Sequence, residues 1–236
     1  MNSFKALIKL VFHPKTCAGC GAIIDEGEAL CDYCHEMLVR CDPLKRCIKC
    51  GLSEANCCCN RKIFHFDGCV APFINTAVAQ NAVYSLKFAR KMIIGEFLAE
   101  QMALSVKNEY RDIKFDGVCF VPMLKRKRLR RGFNQSRVLA EKIADLLGLP
   151  LYNLLICRKN APSQHGLKAK ERFLNVKGMY QASVQAKGKT LLLVDDIKTT
   201  GATLDECAKQ LLLSGAAGVY CVTALVTDIG KNNAGK

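Results

Sequence analysis

Two adjacent carboxylates, Asp195 and Asp196, stand at the end of the apolar run Thr190 to Val194, and the small or hydroxylic residues Thr199, Thr200, Gly201, Ala202 and Thr203 follow. A buried strand, a compact loop and a helix in that order would set backbone amides, hydroxyls and the positive end of a helix dipole around one anion. The carboxylates are poorly placed to bind that anion, but they accept hydrogen bonds from two vicinal hydroxyls. A phosphate beside a diol describes a ribose 5-phosphate. Neither G-x-x-x-x-G-K-[ST] nor G-x-G-x-x-G occurs, so a P-loop and a dinucleotide fingerprint are set aside. Taken alone, the acidic pair also fits a solvated cap on a sheet or a magnesium-binding pair.

A second chemistry sits near the amino terminus, where 11 of the 15 cysteines lie between Cys17 and Cys69. Cys17 and Cys20, then Cys31 and Cys34, form two C-x2-C pairs ten residues apart, each able to turn both sulfurs toward one centre. Thiolates around a tetrahedral zinc ion would replace the core that so short a segment cannot build. Gly21, after the second cysteine, lets the backbone amides turn toward the sulfurs. Cys47 and Cys50 repeat the theme, and the run Cys57, Cys58, Cys59 departs from it. A second site therefore takes Cys57 and Cys59 in unusual geometry, or draws a ligand from Cys41 or Cys69. The alternatives are a disulfide framework, which needs an oxidising compartment, and a redox C-x-x-C, which opens a single helix rather than recurring among turns. Cys119, Cys157, Cys207 and Cys221, scattered among apolar neighbours, read as buried core thiols.

The third feature is Lys125 to Arg131, in which six of seven residues are basic. Most such runs are solvated surfaces. This one follows the apolar run Gly117 to Pro122, which places it, as a loop, on the sheet edge that carries Asp195. Lys125, Arg126 and Arg131 are candidates for binding a pyrophosphate, and the whole run for binding nucleic-acid phosphates.

The elements that must position these groups are legible from residue 68 onward. Helical spacing marks Thr76 to Phe88, Met92 to Val106, Ser136 to Leu147 and Thr203 to Ser214. Short apolar runs at Gly117 to Pro122, Thr190 to Val194 and Gly218 to Leu225 read as strands covered on both faces. Strands alternating with helices imply a parallel sheet, with ligands beyond its carboxyl ends. The segment from Arg158 to Tyr180 is polar and basic, as a flap over a site would be, and its His165 is not assigned as a base. The division expected is residues 1–67 as a cysteine-rich domain with a double zinc ribbon and 68–236 as an α/β domain.

The 236 residues are half hydrophobic and 24% charged, which excludes disordered, collagen-like and coiled-coil classes. No apolar run reaches the roughly 18 residues of a membrane span. The first residues carry lysines within a short apolar stretch and lack a cleavage site, so a cytoplasmic protein is expected. The net charge of +14 points to anionic partners.

The string V-D-D-I-x-T-T-G-x-T resembles the phosphoribosyl pyrophosphate (PRPP) signature of type I phosphoribosyltransferases. That resemblance implies a catalytic centre in which Asp195 and Asp196 contact the ribose hydroxyls and residues 199–203 hold the 5-phosphate. It implies magnesium bound with PRPP, and a pyrophosphate held by the segment after Pro122. Lys198 falls at the motif's variable position, as a surface residue or an added charge.

The paired cysteines, "LKF", "VP" before a basic run, "RGFNQ", and the spaced Gln164, Leu167, Arg172, Asn175 and Gly178 extend the likeness. With them, nearly the whole chain resembles the ComF family of competence-associated proteins. Two departures stand out: the crowded Cys57 to Cys59, and Leu124 and Lys125 where relatives often carry histidine and proline. The resemblance implies a type I phosphoribosyltransferase-like parallel sheet flanked by helices, with a small N-terminal zinc ribbon. It also implies a role in handling single-stranded DNA during transformation, alongside other competence or recombination proteins. Three functions compete on that scaffold. One is phosphoribosyl transfer to an unidentified acceptor, one is non-catalytic single-stranded DNA binding, and the third joins them with PRPP as a regulator.

Overall fold

A computed structural model of the protein describes residues 15–89, 92–158 and 176–228. His165, Gln164, Leu167, Arg172 and Asn175 lie outside the described residues, as do the first residues of the chain. The main sheet is wholly parallel. Its strands are β1 (Gly68–Val70), β2 (Phe73–Ile74), β3 (Gly117–Phe120), β4 (Leu151–Tyr152), β7 (Thr190–Lys198) and β8 (Gly218–Val226). They run in the order β1-β8-β7-β3-β4, with β2 also paired to β8. Strands β5 (Leu155–Cys157) and β6 (Tyr180–Ala182) form a separate antiparallel pair that brackets the segment read as a flap.

The central strand β7 shows why the run Leu191 to Val194 is apolar throughout. Leu192 and Val194 join one core with helices α2 (Ala77–Ala89), α3 (Met92–Glu109) and α5 (Gln135–Leu147). Leu191 and Leu193 join the opposite core with helix α6 (Ala202–Leu213), Phe64 and Phe66. Strand periodicity of two puts alternate leucines on opposite faces, so both faces need apolar residues. The alternation shifts at the acidic pair. Val194 and Ile197, three residues apart, both meet the first core, which leaves the next residue, Lys198, on the second. Lys198 is 2% exposed, so this lysine is not a surface residue.

The cysteine-rich segment lies against both faces. Cys17, Cys34, Leu30 and Leu38 belong to the first core, while Cys50, Phe64 and Phe66 belong to the second. A short helix, α1 (Asp32–Glu36), carries Cys34 inward. Arg46 ties the segment to α3 through a paired ion contact with Glu109.

Of the four scattered cysteines, Cys119, Cys207 and Cys221 are buried as expected, and Cys157 is not. It ends β5, a strand outside the main sheet and covered less completely. The basic run also departs from expectation, since Lys125–Arg131 is a helix, α4, rather than a loop. Lysine, arginine and leucine are good helix formers, and Gly132 at φ +90° supplies the left-handed stop. None of its residues is buried.

Candidate functional site

Strand β7 outlasts its neighbour β3. Pairing with β3 ends at Phe120 opposite Val194, whereas pairing with β8 continues to Lys198 opposite Val226. Asp195 and Asp196 therefore sit one step past the edge of β3, still held by β8 and facing the gap that β3 leaves. Both are buried, at 9% and 6% exposure.

Their partners come from α2 and α5. Ser136 Oγ donates to Asp195 Oδ1 at 2.8 Å, and the backbone amide of Asp196 donates to the same oxygen at 2.9 Å. Asp196 is ion-paired with Lys87 and accepts from Gln135 Nε2 at 3.1 Å. Gln135 Oε1 in turn accepts from Arg131 Nη1 at 2.7 Å, which links the basic helix to the acidic pair. Asn134 caps α5 by accepting from the Ser136 amide, and it donates to the Val121 carbonyl, fixing the start of this helix against the end of β3. Burial first, and then the charge of Asp196, push the Asp195 carboxyl up to about 7.

The phosphate-loop candidates lie directly beyond. Gly201 caps α6 at φ +76°, and the helix start has no side-chain cap. The Ala202 amide is bonded locally to Thr200 Oγ1 at 3.3 Å. A Cβ at Gly201 would lie 3.2 Å from both Lys198 Cε and Phe64 Cε1, so only glycine fits in conformation and in space.

A cavity of about 300 Å³ joins these pieces, lined among others by Asp195, Thr203, Lys87, Lys127 and Arg131. A larger cavity of about 530 Å³ adjoins it, with Lys125 and Arg128 on its wall and Phe120 and Leu155 at its base. The structure thus brings Asp195, Asp196, Thr203 and Arg131 together and sets Lys125 in the adjoining space. Arg126 lines neither cavity. Sequence reasoning missed Lys87, Lys127, Gln135 and Ser136 as site residues. Lys87 and Gln135 stand in the strings "LKF" and "RGFNQ", but nothing in the spacing says that they converge on a carboxylate.

The cysteines form two tetrads, Cys17, Cys20, Cys31 and Cys34, and Cys47, Cys50, Cys57 and Cys59, whose sulfurs lie within 4.8 Å of one another. A tetrahedral zinc with bonds of about 2.3 Å requires sulfurs about 3.8 Å apart. Cys20 and Cys31 are 3.7 Å apart, Cys47 and Cys59 3.7 Å, and Cys50 and Cys57 3.8 Å. In the second tetrad, Cys57 and Cys59 supply sulfurs and Cys58 does not, which resolves the crowded run. Cys41 and Cys69 stay outside both tetrads, their thiols pushed up to about 11 by burial.

The donor chemistry fits as well as the spacing. Burial raises the Cys17 thiol, but the backbone amides of Cys31, Cys20 and Gly19 outweigh it and hold it down at about 6. Cys47 is held at about 7 against burial by the amides of Cys50 and Lys49 and by neighbouring thiols. Burial and the neighbouring sulfurs push Cys34 and Cys59 far up. One thiol in each set is thus prepared to ionise and another is held back, and a dication removes that conflict. Each tetrad can hold one zinc. Intact protein purified without chelator is expected to carry two zinc ions per chain by elemental analysis, and Cys59→Ser to carry one.

No protein-family model matches the chain. It is 36% identical over 141 residues to the DNA utilization protein YhgH of Salmonella typhi, covering 58% of this chain and 62% of that protein. It is 31% identical over 136 residues to competence protein F of Haemophilus influenzae, covering 55% and 59%. The match thus spans less than two thirds of either relative. An adenine phosphoribosyltransferase structure is 14% identical, with a TM-score of 0.42 over 60% of this chain and 74% of that one. Over that part of its length the chain is similar to proteins named for DNA utilization and for competence.

Proposed function

We propose that the protein binds PRPP at the end of β7 and serves in the use of single-stranded DNA. One observation carries the first part: a single cavity is lined by the Asp195 carboxylate, Thr203 of the phosphate loop, and the cations Lys87, Lys127 and Arg131. A diol acceptor, a phosphate cradle and charges for a pyrophosphate are the three parts that PRPP demands. In this reading Asp195 and Asp196 take the ribose hydroxyls, residues 199–203 take the 5-phosphate, and Arg131 and Lys127 face the pyrophosphate. Magnesium carried by the pyrophosphate would neutralise leaving-group charge. Transfer would break the bond between the anomeric carbon and the pyrophosphate, which leaves with the electron pair, as an acceptor bonds to that carbon and releases its proton. The site's contribution would be orientation and charge stabilisation.

Calorimetry of the zinc-loaded chain with PRPP and magnesium tests this. Saturable binding is expected, and no heat at millimolar PRPP would end the reading. Residues 1–67 would then be the metal-binding unit and 68–236 the phosphoribosyl unit. Thiol tetrads of this kind suit a reducing compartment, which favours the cytoplasm. Among the described residues, no helix is long and apolar enough to cross a membrane.

The second part, DNA binding, rests on α4, which carries six cations on seven residues and exposes five of them, of which Arg126 and Arg130 line neither cavity. Such charges suit an extended polyanion. Replacing Arg126 and Arg130 by glutamine is expected to flatten the plot of log affinity for single-stranded DNA against log salt by roughly 1 to 1.5. An unchanged slope would remove this helix from DNA binding.

A further inference from the structure

The second cysteine tetrad touches the phosphate loop through residues 62–65, which begin three positions after its last cysteine. Lys62 Nζ donates to the Thr200 carbonyl at 2.9 Å and lies 4.2 Å from the Phe64 ring centroid. Phe64, 3% exposed and stacked on Phe66 with centroids 4.7 Å apart, is one of the two side chains that close the space over Gly201. Next in the chain, the His65 amide donates to Asp205 Oδ1 at 2.6 Å, with its ring Nδ1 3.1 Å from the same oxygen. Asp205 lies in the first turn of α6. Lys62, Phe64 and His65 therefore hold Thr200, Gly201 and Asp205 in register. The loop and the helix start that would face a phosphate are gripped from outside by a segment of the cysteine-rich region.

Lys198 closes the joint from the sheet side. Its Nζ lies 5.8 Å from the Phe64 centroid, and its Cε is the other atom that Gly201 could not clear with a side chain. The shift in β7 alternation at the acidic pair is what turns Lys198 to this face, so strand, ribbon and loop meet at one point.

We propose that Lys62 is a positioning residue for the phosphate loop, through which the second cysteine tetrad sets the loop's readiness to bind a phosphate. A loop whose amides must converge on one anion loses affinity when it has to be ordered at the moment of binding. The grip of residues 62–65 meets that cost in advance. Ribbons of this size fold only around their metal, so the grip depends on metal loading. The ammonium of Lys62 also counters the Thr200 carbonyl dipole, which would otherwise present negative charge beside an anion.

The inference rests on the PRPP reading for its ligand but not for its geometry, and the test separates the two. Hydrogen exchange of residues 199–205 in the ligand-free, zinc-loaded chain reads the loop itself, and calorimetry with PRPP and magnesium reads binding. Lys62→Met keeps the aliphatic stem and removes the ammonium. It is expected to retain both zinc ions, to exchange faster in residues 199–205, and to bind PRPP about tenfold more weakly, the equivalent of one charge-assisted hydrogen bond. Lys62→Arg is expected to restore most of both. Cys57→Ser, losing the second metal, is expected to loosen the same residues. Wild-type exchange rates in Lys62→Met would overturn the positioning role, as would a loosened loop that binds PRPP with wild-type affinity. A wild-type chain that ignores PRPP while Lys62→Met still loosens the loop would end the PRPP reading and leave the joint standing.

Discussion

Replacing Asp195 by asparagine is expected to make the protein more stable and to weaken its binding of PRPP more than tenfold, whereas the same change at Asp196 is expected to weaken the fold. The two carboxylates are neighbours in sequence with opposite surroundings. Asp195 accepts from one hydroxyl and one amide, and burial together with the charge of Asp196 raises its carboxyl from 3.8 to about 7. Asparagine keeps an acceptor for Ser136 and sheds the desolvated charge. Asp196 instead faces Lys87 in a largely buried ion pair, and removing it takes away the direct partner of that ammonium.

The sign of the pH dependence follows from the raised carboxyl. The folded chain holds the Asp195 proton more tightly than the unfolded chain does. This group's contribution is therefore present below about pH 4 and is lost as pH rises through about 7. Asp195→Asn is thus expected to melt close to wild type at pH 4 and to gain as pH climbs, reaching about 4 kcal/mol, or roughly 8 to 16 °C, at pH 8. Asp196→Asn is expected to melt lower than wild type at pH 8, by roughly 3 kcal/mol. Each should weaken PRPP binding by roughly 10- to 150-fold, because a ribose diol needs acceptors and each charge-assisted bond is worth about 1.5 to 3 kcal/mol. Melting curves from pH 4 to 8 check the first claim and calorimetry the second. A gain that fails to grow with pH would show that the Asp195 charge is not held under strain.

Much of this arrangement is legible in the sequence because it is local. Leu191 to Val194 is apolar throughout because both faces of β7 are covered, and Gly201 sits where one backbone position has φ +76° and no space. The first tetrad follows from C-x2-C spacing alone. What the sequence hides is convergence between distant residues. Lys87 lies on α2, Gln135 and Ser136 on α5, and their meeting at Asp195 and Asp196 depends on two helices packing on the same sheet face. The helical state of Lys125–Arg131 is readable from propensity, whereas its position after a strand end suggests a loop. Lys198 illustrates a further limit. Its burial comes from the break in strand alternation at the acidic pair, which a period-two reading assigns to the wrong face.

The largest loss of stability is expected from Cys34→Ser, for reasons that reach beyond its lost metal bond. Cys34 is fully buried in the core that holds Leu86, Val83 and Leu30, and a Cβ at Gly19 would lie 2.8 Å from its sulfur. The first ribbon is also bonded to α2 through its backbone: Ser85 Oγ donates to the Ala18 carbonyl, and Asn81 Nδ2 to that of Gly19. The same helix carries Lys87, the partner of Asp196. Losing the metal would leave buried sulfurs without their shared cation and would free the segment that braces α2. Cys34→Ser is expected to retain one zinc, to lose about 3 to 5 kcal/mol and to melt roughly 10 °C lower. Cys59→Ser, in the half-exposed part of the second tetrad, should lose its zinc at a smaller cost. Acid should act like the first substitution, because zinc needs thiolates, and protonation of the tetrads below about pH 6 competes with the metal. Calorimetric melting paired with zinc analysis decides the matter. A Cys34→Ser chain that keeps two zinc ions and melts with wild type would show that this tetrad is neither a metal site nor a brace for the helix behind the acidic pair.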